Sequence, residues 1–371
     1  QGVKAHAPLS AGESNIYSMT FFRSGRPPRR PRSWAITGLL VLALISLAAV
    51  PSGYVIQRPG AVFNVMAEVD GKQVITSGEL TSYESDSRFD VTTISLLGNR
   101  ESNPNWIQVL FAWADPDQVV LPLDEVFPPS KTTAEVRAES TAQMEISQQD
   151  AIAVALGHLG YEVPRRLYVN AVVADTPAAG LVIAGDFVIS AGGVKVATFE
   201  ELREQITKTE GAEMELTVER DGKLVQLKLA PQPRDDSYYI GAMVGYTYEF
   251  PKKVELQLGD VGGPSGGLMF TLGIVDRFTP GSLAKDNHVA GTGTISGEGN
   301  VGPIGGIRLK MVAAERAGAD LFLVPDGNCE EAEGFVPQGL AAVSVANFEE
   351  AILAIENLNA GKTFPALSCK N

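Results

Sequence analysis

The fold is decided by two stretches, Gly262-Gly263-Pro264-Ser265-Gly266-Gly267 and Gly302-Pro303-Ile304-Gly305-Gly306-Ile307-Arg308-Leu309-Lys310. Each runs directly into a predicted helix, Leu268–Val275 after the first and Met311–Ala317 after the second. A serine between small residues at a helix start is exposed on a tight turn, near backbone N–H groups and the positive end of the helix dipole. Such a position suits a nucleophile whose reaction develops an oxyanion.

Between these stretches lies Ala290-Gly291-Thr292-Gly293-Thr294-Ile295-Ser296-Gly297. Together, GGPSGG and the downstream HVAGTGTISGEGNVGPIGGIRLKMVAAERAGADLFLVP closely resemble the proteolytic domain of Lon proteases, and the resemblance places that α+β domain at residues 233–360. The resemblance implies that Ser265 and Lys310 form a catalytic dyad in which Thr292 orients the lysine. The backbone N–H groups of Gly263 and Ser265 are candidate oxyanion donors.

The sequence departs from that family at two positions. Gly262 stands where ATP-dependent members often carry Asp, and Thr294 replaces the Glu of the family's TGE. Neither change touches the dyad, so we expect them to affect regulation and substrate preference.

Lys310 can act as a base only if its pKa is depressed, because an ordinary lysine has a pKa near about 10.4 and stays protonated at neutral pH. The sequence offers two means of depressing it. The positive end of the following helix disfavours a cation, and apolar neighbours are expected to desolvate the amine: Ile304, Ile307, Leu309 and Met311.

Residues 166–232 predict a small β-rich domain that precedes the proteolytic domain. The order is a strand at Leu167–Ala174, the segment Thr176–Gly193, a helix at Phe199–Thr207, and two strands joined by Asp221-Gly222. This order resembles a bacterial PDZ domain, which implies binding of extended peptides at an exposed sheet edge beside a helix. A spacer of the same shape without peptide binding is the alternative.

Trp34–Val50 is an uncharged apolar run that continues across Pro51-Ser52-Gly53 to Ile56. At about 1.5 Å per residue, a helix over residues 34–56 would span a hydrocarbon core of roughly 30 Å. Arginines cluster before the run, so the positive-inside rule predicts a cytoplasmic basic tail at 1–33 and an extracytoplasmic body. A cleaved signal peptide is the alternative, and Met19 is a candidate start of translation.

Residues 57–165 predict a mixed strand and helix segment that serves as a platform. Strand patterns cover Val62–Met66, Gln73–Thr76 and Phe89–Leu97, and helical patterns cover Asn103–Ala114 and Thr132–Leu159. This segment shows no catalytic constellation.

Composition excludes several classes of function. The net charge is −14, which argues against nucleic-acid binding because that requires many Lys and Arg residues at the phosphates. With three His, two Cys and no HExxH or CxxC pattern, a zinc site is not expected, and no cofactor is predicted.

The two cysteines offer a further prediction. In an exported chain they are usually paired, so we expect a Cys329–Cys369 disulfide that fixes the C-terminal tail 361–371. Two free thiols are the alternative.

Other nucleophile arrangements stay open at this point. His288 could serve a Ser–His–Asp triad, and a cysteine could be the nucleophile, although no motif surrounds either. A P-loop is incomplete at Gly361-Lys362-Thr363, because Glu356 occupies the position of its first glycine.

The whole order resembles the bacterial membrane-anchored PDZ–Lon peptidases: an α+β multidomain chain with a single transmembrane helix. That resemblance implies an ATP-independent serine endopeptidase acting on extracytoplasmic unfolded proteins or peptides, and hexamers by family analogy. A catalytically silent peptide-binding module is the alternative.

Overall fold

The structure, a computed structural model, describes residues 31–69, 71–234, 237–257 and 262–369. Residues 1–30 of the predicted basic tail, including Met19, lie outside the described residues. The chain divides into two compact units, Gln1–Val50 and Pro51–Asn371.

The first unit contains one described helix, α1 (Pro31–Ala49). Its apolar side chains are largely exposed, for example Trp34 at 80% and Leu39 at 68%. Within the described ranges, no helix combines the length and the apolar character needed to cross a bilayer.

The predicted span 34–56 is wrong at its C-terminal limit. The helix ends at Ala49, and residues from Tyr54 onward form a strand in which Val55 and Ile56 are completely buried. An apolar run alone does not distinguish a spanning segment from a buried strand that directly follows it.

The second unit begins with strands and three helices. They are β1 (Tyr54–Asn64), β2 (Glu68–Val69), β3 (Lys72–Gln73), β4 (Ile75–Thr76), β5 (Arg88–Leu97), α2 (Trp106–Ala114), β6 (Val119–Pro122), α3 (Leu123–Val126) and α4 (Thr133–His158). A capping box starts α4, because Thr132 accepts from the Glu135 N–H and the Glu135 carboxylate accepts from the Thr132 N–H.

A second group of elements follows α4. They are β7 (Arg165–Val172), β8 (Phe187–Ala191), β9 (Val194–Lys195), α5 (Phe199–Lys208), β10 (Met214–Arg220), β11 (Lys223–Leu229), β12 (Gln232–Arg234), β13 (Ser237–Tyr239) and β14 (Ala242–Tyr248). The predicted helix and the predicted hairpin, which turns at Asp221 and Gly222, are both present.

The remaining elements carry the glycine-rich stretches. They are β15 (Glu255–Leu256), a 3-10 turn (Pro264–Gly266), α6 (Gly267–Arg277), β16 (His288–Gly291), β17 (Thr294–Ile295), β18 (Val301–Gly302), α7 (Ile307–Arg316), β19 (Leu321–Pro325), a 3-10 turn (Asp326–Asn328), α8 (Cys329–Ala332), β20 (Ala341–Val345) and α9 (Phe348–Asn359).

The main sheet has six strands in the order β20-β19-β16-β5-β1-β6. The first four run parallel, and β1 and β6 complete the sheet in antiparallel pairs. Residues alternate between the two faces, so Val289 packs in the core that holds α6, whereas Ala290 packs with Ile307 and Met311 of α7. The helices α6 and α7 therefore cover opposite faces of this sheet.

A second sheet is antiparallel, in the order β11-β10-β8-β7-β14, with β9 beside β8. It has its own core, in which Leu202 and Ile206 of α5 pack with strand residues such as Leu216. The strand β14 occupies one end of this order and pairs only with β7 among the described strands.

The predicted boundaries at 57–165, 166–232 and 233–360 differ from this arrangement. Strands β1 and β5 hydrogen-bond into the main sheet, and buried residues of α4 share a core with α6, so residues 57–165 are not a separate platform. The second sheet also extends through Tyr248, beyond the predicted limit at 232. Short-range patterns cannot reveal pairings between segments so far apart in sequence.

Candidate active site

Ser265 lies in the 3-10 turn that leads into α6, and its side chain is half-buried. Gly263 begins the turn with a φ of 87°, a left-handed conformation that glycine adopts without strain. The N–H of Gly267, and not that of Ser265, makes the hydrogen bond that closes this turn, to the Pro264 carbonyl oxygen.

Lys310 lies in the first turn of α7, on the opposite face of the main sheet, and is only 3% exposed. Its Nζ donates to Ser265 Oγ at 2.9 Å and to Thr292 Oγ1 at 2.9 Å. Burial lowers the pKa of Lys310 to about 8. A lysine with this pKa is neutral in a substantial fraction of molecules near physiological pH, and a neutral amine can accept a proton.

Thr292 follows the carboxyl end of β16 and is completely buried. Its hydroxyl accepts from Lys310 Nζ and donates to the Ser265 carbonyl oxygen at 3.0 Å. The next N–H, that of Gly293, also donates to this carbonyl, at 2.8 Å. Thr292 therefore fixes the amine and the serine loop together.

Helix α4, which the sequence did not connect with this site, supports the serine turn. Ser147 Oγ donates to the Pro264 carbonyl oxygen at 2.8 Å, and the Gly263 N–H donates to the Ser140 carbonyl oxygen at 3.0 Å. Because its N–H is occupied, Gly263 is not available as the oxyanion donor that the sequence predicted. No local sequence signal identifies Ser140 or Ser147, since both contacts are long-range.

Gly267 allows the close packing behind Ser265. A Cβ at this position would lie 2.7 Å from Ser147 Oγ and 2.9 Å from the backbone nitrogen of Ile295. The backbone atom cannot move aside without disturbing β17, so only glycine fits here.

His288 is not placed to act on Ser265. It begins β16, so about 13 Å of strand separates it from Thr292. Its Nε2 lies 2.6 Å from Asp90 Oδ2 and its Nδ1 lies 3.0 Å from the Gly318 carbonyl oxygen. Burial alone would raise the pKa of Asp90, but hydrogen bonds from His288 and Arg88 outweigh it and hold that pKa below its usual value. This pair joins β5 to β16.

Cys329 and Cys369 form a disulfide with Cα atoms 5.6 Å apart, as the sequence predicted. The bond fastens the C-terminal tail to α8, and it leaves neither cysteine available as a nucleophile. Among the described residues, no group of three or more His, Cys, Asp or Glu side chains is arranged to hold a metal ion.

A groove lies where the second sheet meets the proteolytic elements. A cavity of about 390 Å³ is lined by β14 and the start of α5 on one side and by residues from Thr294 to Gly302 on the other. A smaller cavity of about 150 Å³ shares Asp150, Thr294 and Ile295 with it and reaches Pro264, next to Ser265. Among the described strands β14 pairs only with β7, so its other edge is the sheet edge that the sequence left unassigned.

Two tyrosines of β14 connect the second sheet to α4 and to the loop that contains Glu298. Tyr248 donates to the Asp150 carboxylate and Tyr246 donates to the Glu298 carboxylate. The Arg165 guanidinium stacks over the Tyr246 ring at 4.7 Å and lies 3.9 Å from Glu298. Burial raises the pKa of Asp150 to about 6, and the negative charge of Glu298 adds to this effect.

Comparison with known families identifies two domains. Residues 259–354 match the Lon protease (S16) C-terminal proteolytic domain, and residues 136–230 match the PDZ domain. The first match contains Ser265, Thr292 and Lys310, and the second contains α5 and most of the second sheet.

Curated relatives match the C-terminal part of the chain. The Lon protease of Haemophilus influenzae is 35% identical over 112 residues, which cover 29% of this chain and 14% of that protein. Lon protease 2 of Herpetosiphon aurantiacus is 36% identical over 93 residues, covering 24% and 11%. The chain thus spans only a small part of the length of these relatives.

Solved structures are similar to about a fifth of this chain. The crystal structure of the PDZ domain of an SdrC-like protein from Listeria monocytogenes is 23% identical and covers 21% of this chain and 86% of that one, with a TM-score of 0.20. A solution structure from Geobacillus thermodenitrificans is 27% identical and covers 19% and 84%, with a TM-score of 0.18. With TM-scores this low, these two likenesses carry no weight here.

Proposed function

We propose that this chain, which carries a Lon-type proteolytic domain and a PDZ domain, is an ATP-independent serine endopeptidase that cleaves unfolded or extended polypeptides. Ser265 is the nucleophile, Lys310 is the general base, and Thr292 positions Lys310. The observation that carries the proposal is the buried Lys310 Nζ, 2.9 Å from Ser265 Oγ. A silent binding module would gain nothing from burying a lysine, which costs stability.

In the first half of the reaction, neutral Lys310 accepts the Ser265 hydroxyl proton while Oγ attacks the carbonyl carbon of the scissile bond. The carbonyl π electrons move to oxygen, and the resulting oxyanion accepts a hydrogen bond from the Ser265 N–H. As the intermediate collapses, the C–N bond breaks and Lys310 returns its proton to the departing amine. An ester on Ser265 remains.

In the second half, a water molecule attacks the ester and neutral Lys310 accepts its proton. The tetrahedral intermediate collapses, the C–O bond to Ser265 breaks, and Lys310 restores the hydroxyl proton. The net reaction is the hydrolysis of one peptide bond. The steps described above use no metal ion and no nucleotide.

Covalent labelling tests the nucleophile directly. A fluorophosphonate should modify Ser265 in the full chain, as located by mass spectrometry of the digested protein. Labelling should vanish in Ser265→Ala and fall strongly in Lys310→Ala, whereas the exposed control Ser82→Ala should retain it. Labelling at another serine would assign the nucleophile elsewhere.

The edge of β14 beside α5 is proposed to bind an extended polypeptide by strand addition. The support is the groove that connects this edge, through Thr294 and Ile295, to the turn of Ser265. Replacing the edge residue Val244 by proline should weaken cleavage of an unfolded protein while sparing a short peptide reporter. Equal loss of both activities would make the PDZ domain merely structural.

We also propose that the apolar segment from Trp34 to Val50 anchors the chain in a cell membrane, with the proteolytic domain on the extracytoplasmic side. The support is the arginine cluster before the segment and the exposure of its apolar side chains. Protease added to intact spheroplasts should remove the proteolytic domain, and complete protection would contradict this topology. A hexameric assembly remains a proposal from family analogy alone.

A further inference from the structure

Helix α2 is apolar on both of its faces. Val109 and Ala112 pack with Ile56 of β1 in a small buried cluster. On other sides of the helix, Leu110, Phe111 and Trp113 are 49%, 73% and 56% exposed, and no residue of α2 is charged. A helix that is apolar all round is normally covered on all sides, so this exposed surface is expected to meet an apolar environment.

We propose that α2 lies in the headgroup region of a lipid bilayer, with Leu110, Phe111 and Trp113 in contact with the lipid. This inference rests on the proposed membrane attachment through Trp34–Val50. It adds a second, interfacial contact that would hold the proteolytic domain against the membrane surface.

The first argument is the position of α2 along the chain path. Pro51, only two residues after the end of α1, forms a β-bridge with Asn105, the N-cap of α2. The Ser52 N–H also donates to the Pro104 carbonyl oxygen at 2.8 Å. The start of α2 is therefore within hydrogen-bond distance of Ser52, which closely follows the proposed anchor in sequence.

The second argument is the aromatic composition of this region. Tyr54 packs edge-on against Trp106 and Trp113, with ring centroids 5.7 and 5.9 Å apart. Tyrosine and tryptophan prefer the membrane–water interface because their rings are apolar and their tips form hydrogen bonds. With Trp34 in the proposed anchor, the three tryptophans of the chain all lie in α1 and α2.

The third argument is charge. The exposed stripe carries no carboxylate that a lipid surface would repel or that burial would penalise, and the acidic residues Asp115 and Asp117 follow only after the helix ends. A neutral aromatic helix next to an anchor fits a lipid interface better than it fits a charged protein partner.

Fluorescence quenching tests the proposal in the full chain. The variant Trp34→Phe/Trp106→Phe keeps Trp113 as its single tryptophan. The protein is reconstituted into vesicles of phosphatidylcholine and phosphatidylglycerol that carry nitroxide labels at shallow or deep acyl positions. We expect the shallow label to quench Trp113 about threefold more strongly than the deep label.

In a matched control, the single tryptophan is placed near the other edge of the main sheet. Leu353 of α9 is similarly exposed and packs beside β20, five strand spacings from β6, or about 24 Å. In the variant Leu353→Trp with all three native tryptophans replaced by Phe, lipid labels should have no effect. The variant Phe111→Glu should reduce shallow quenching of Trp113 about twofold or more, because a carboxylate resists entry into the interface.

The outcomes separate the two proposals. If the chain does not float with the vesicles in a density gradient, the proposed attachment through Trp34–Val50 is wrong. The proposed lipid contact of α2, which depends on that attachment, is then wrong as well. If the chain floats but lipid labels do not affect Trp113 and aqueous iodide quenches it fully, the attachment stands and the inference is overturned. If neither lipid labels nor iodide reaches Trp113, a second copy or another protein covers α2, which also overturns the inference.

Discussion

Lys310 and Ser265 lie 2.9 Å apart, yet they belong to segments on opposite faces of one sheet. They meet beyond the carboxyl end of β16, where Thr292 hydrogen-bonds to both residues. The end of a parallel strand is the place where elements from both faces can converge, and the proposed chemistry depends on this convergence.

The first prediction concerns the dyad. Lys310→Arg should lower kcat/KM by about 10⁴-fold or more, as should Lys310→Ala and Ser265→Ala, because arginine keeps its proton and cannot act as a base. A fluorogenic peptide assay measures this, with Lys195→Arg as an exposed control that should retain full activity. An active Lys310→Arg protein would contradict the assignment of the base.

The second prediction concerns pH. Because the pKa of Lys310 is lowered to about 8, kcat/KM should rise with pH and level off above that value. Thr292→Ser keeps the hydroxyl and should preserve the profile, whereas Thr292→Val should reduce the rate and lower the apparent pKa further, because it removes an acceptor of the ammonium and makes its surroundings more apolar. A pH profile flat from 6 to 10 would show that Lys310 does not titrate in the reaction.

The third prediction follows from the cost of burying Lys310. Its pKa is lower in the folded state than in the unfolded state, so the unfolded state binds more protons between about pH 8 and 10.5. Stability should therefore rise with pH across this window, and the full cost, about 3 kcal/mol, applies at pH 7.

Lys310→Met removes that cost while keeping the length of the side chain. We expect it to raise the free energy of unfolding at pH 7 by about 1–3 kcal/mol while abolishing activity. Urea denaturation measures the change, and Lys195→Met should alter stability by less than about 0.5 kcal/mol. A destabilised Lys310→Met protein would mean that hydrogen bonds of the amine outweigh its desolvation.

The fourth prediction concerns Asp150, whose pKa is raised to about 6 in the folded state. The folded state binds more protons than the unfolded state between about pH 4 and 6, so stability should fall as pH rises through this window. Asp150→Asn still accepts from Tyr248 and should raise stability at pH 7 by about 2 kcal/mol, with a smaller gain at pH 4. An equal change at both pH values would exclude titration of Asp150 as the cause.

The fifth prediction concerns the Cys329–Cys369 disulfide. Replacing both cysteines by serine should lower the free energy of unfolding by about 4 kcal/mol in the chain-entropy model, because the bond closes a loop with a sequence separation of 40. The peptidase activity of the folded fraction should be unchanged, since the hydrogen bonds that join Ser265, Thr292 and Lys310 do not involve the cysteines. Denaturation with and without reductant provides the measurement.

The sequence identifies the site better than it identifies the fold. Ser265, Thr292 and Lys310 stand in local motifs, so a resemblance of those motifs was enough to bring them together. The support from Ser147 was missed, because its contact with Pro264 spans 117 residues of sequence. The predicted span extends to residue 56, which is too far. Val55 and Ile56 are apolar because they belong to a buried strand and not to a membrane helix.

The pairing of strands in the main sheet also determines which parts of the molecule can fold only late. Strand β16 pairs with β5, and His288 contacts Asp90 across 198 residues of sequence. A growing chain that has not yet produced β16, Thr292 and Lys310 holds β5 without its parallel neighbour and Ser265 without its hydrogen-bond partner Lys310. Such long-range pairing forms late in folding. Synthesis of the first half of the chain is thereby separated in time from assembly of the Ser265–Thr292–Lys310 cluster.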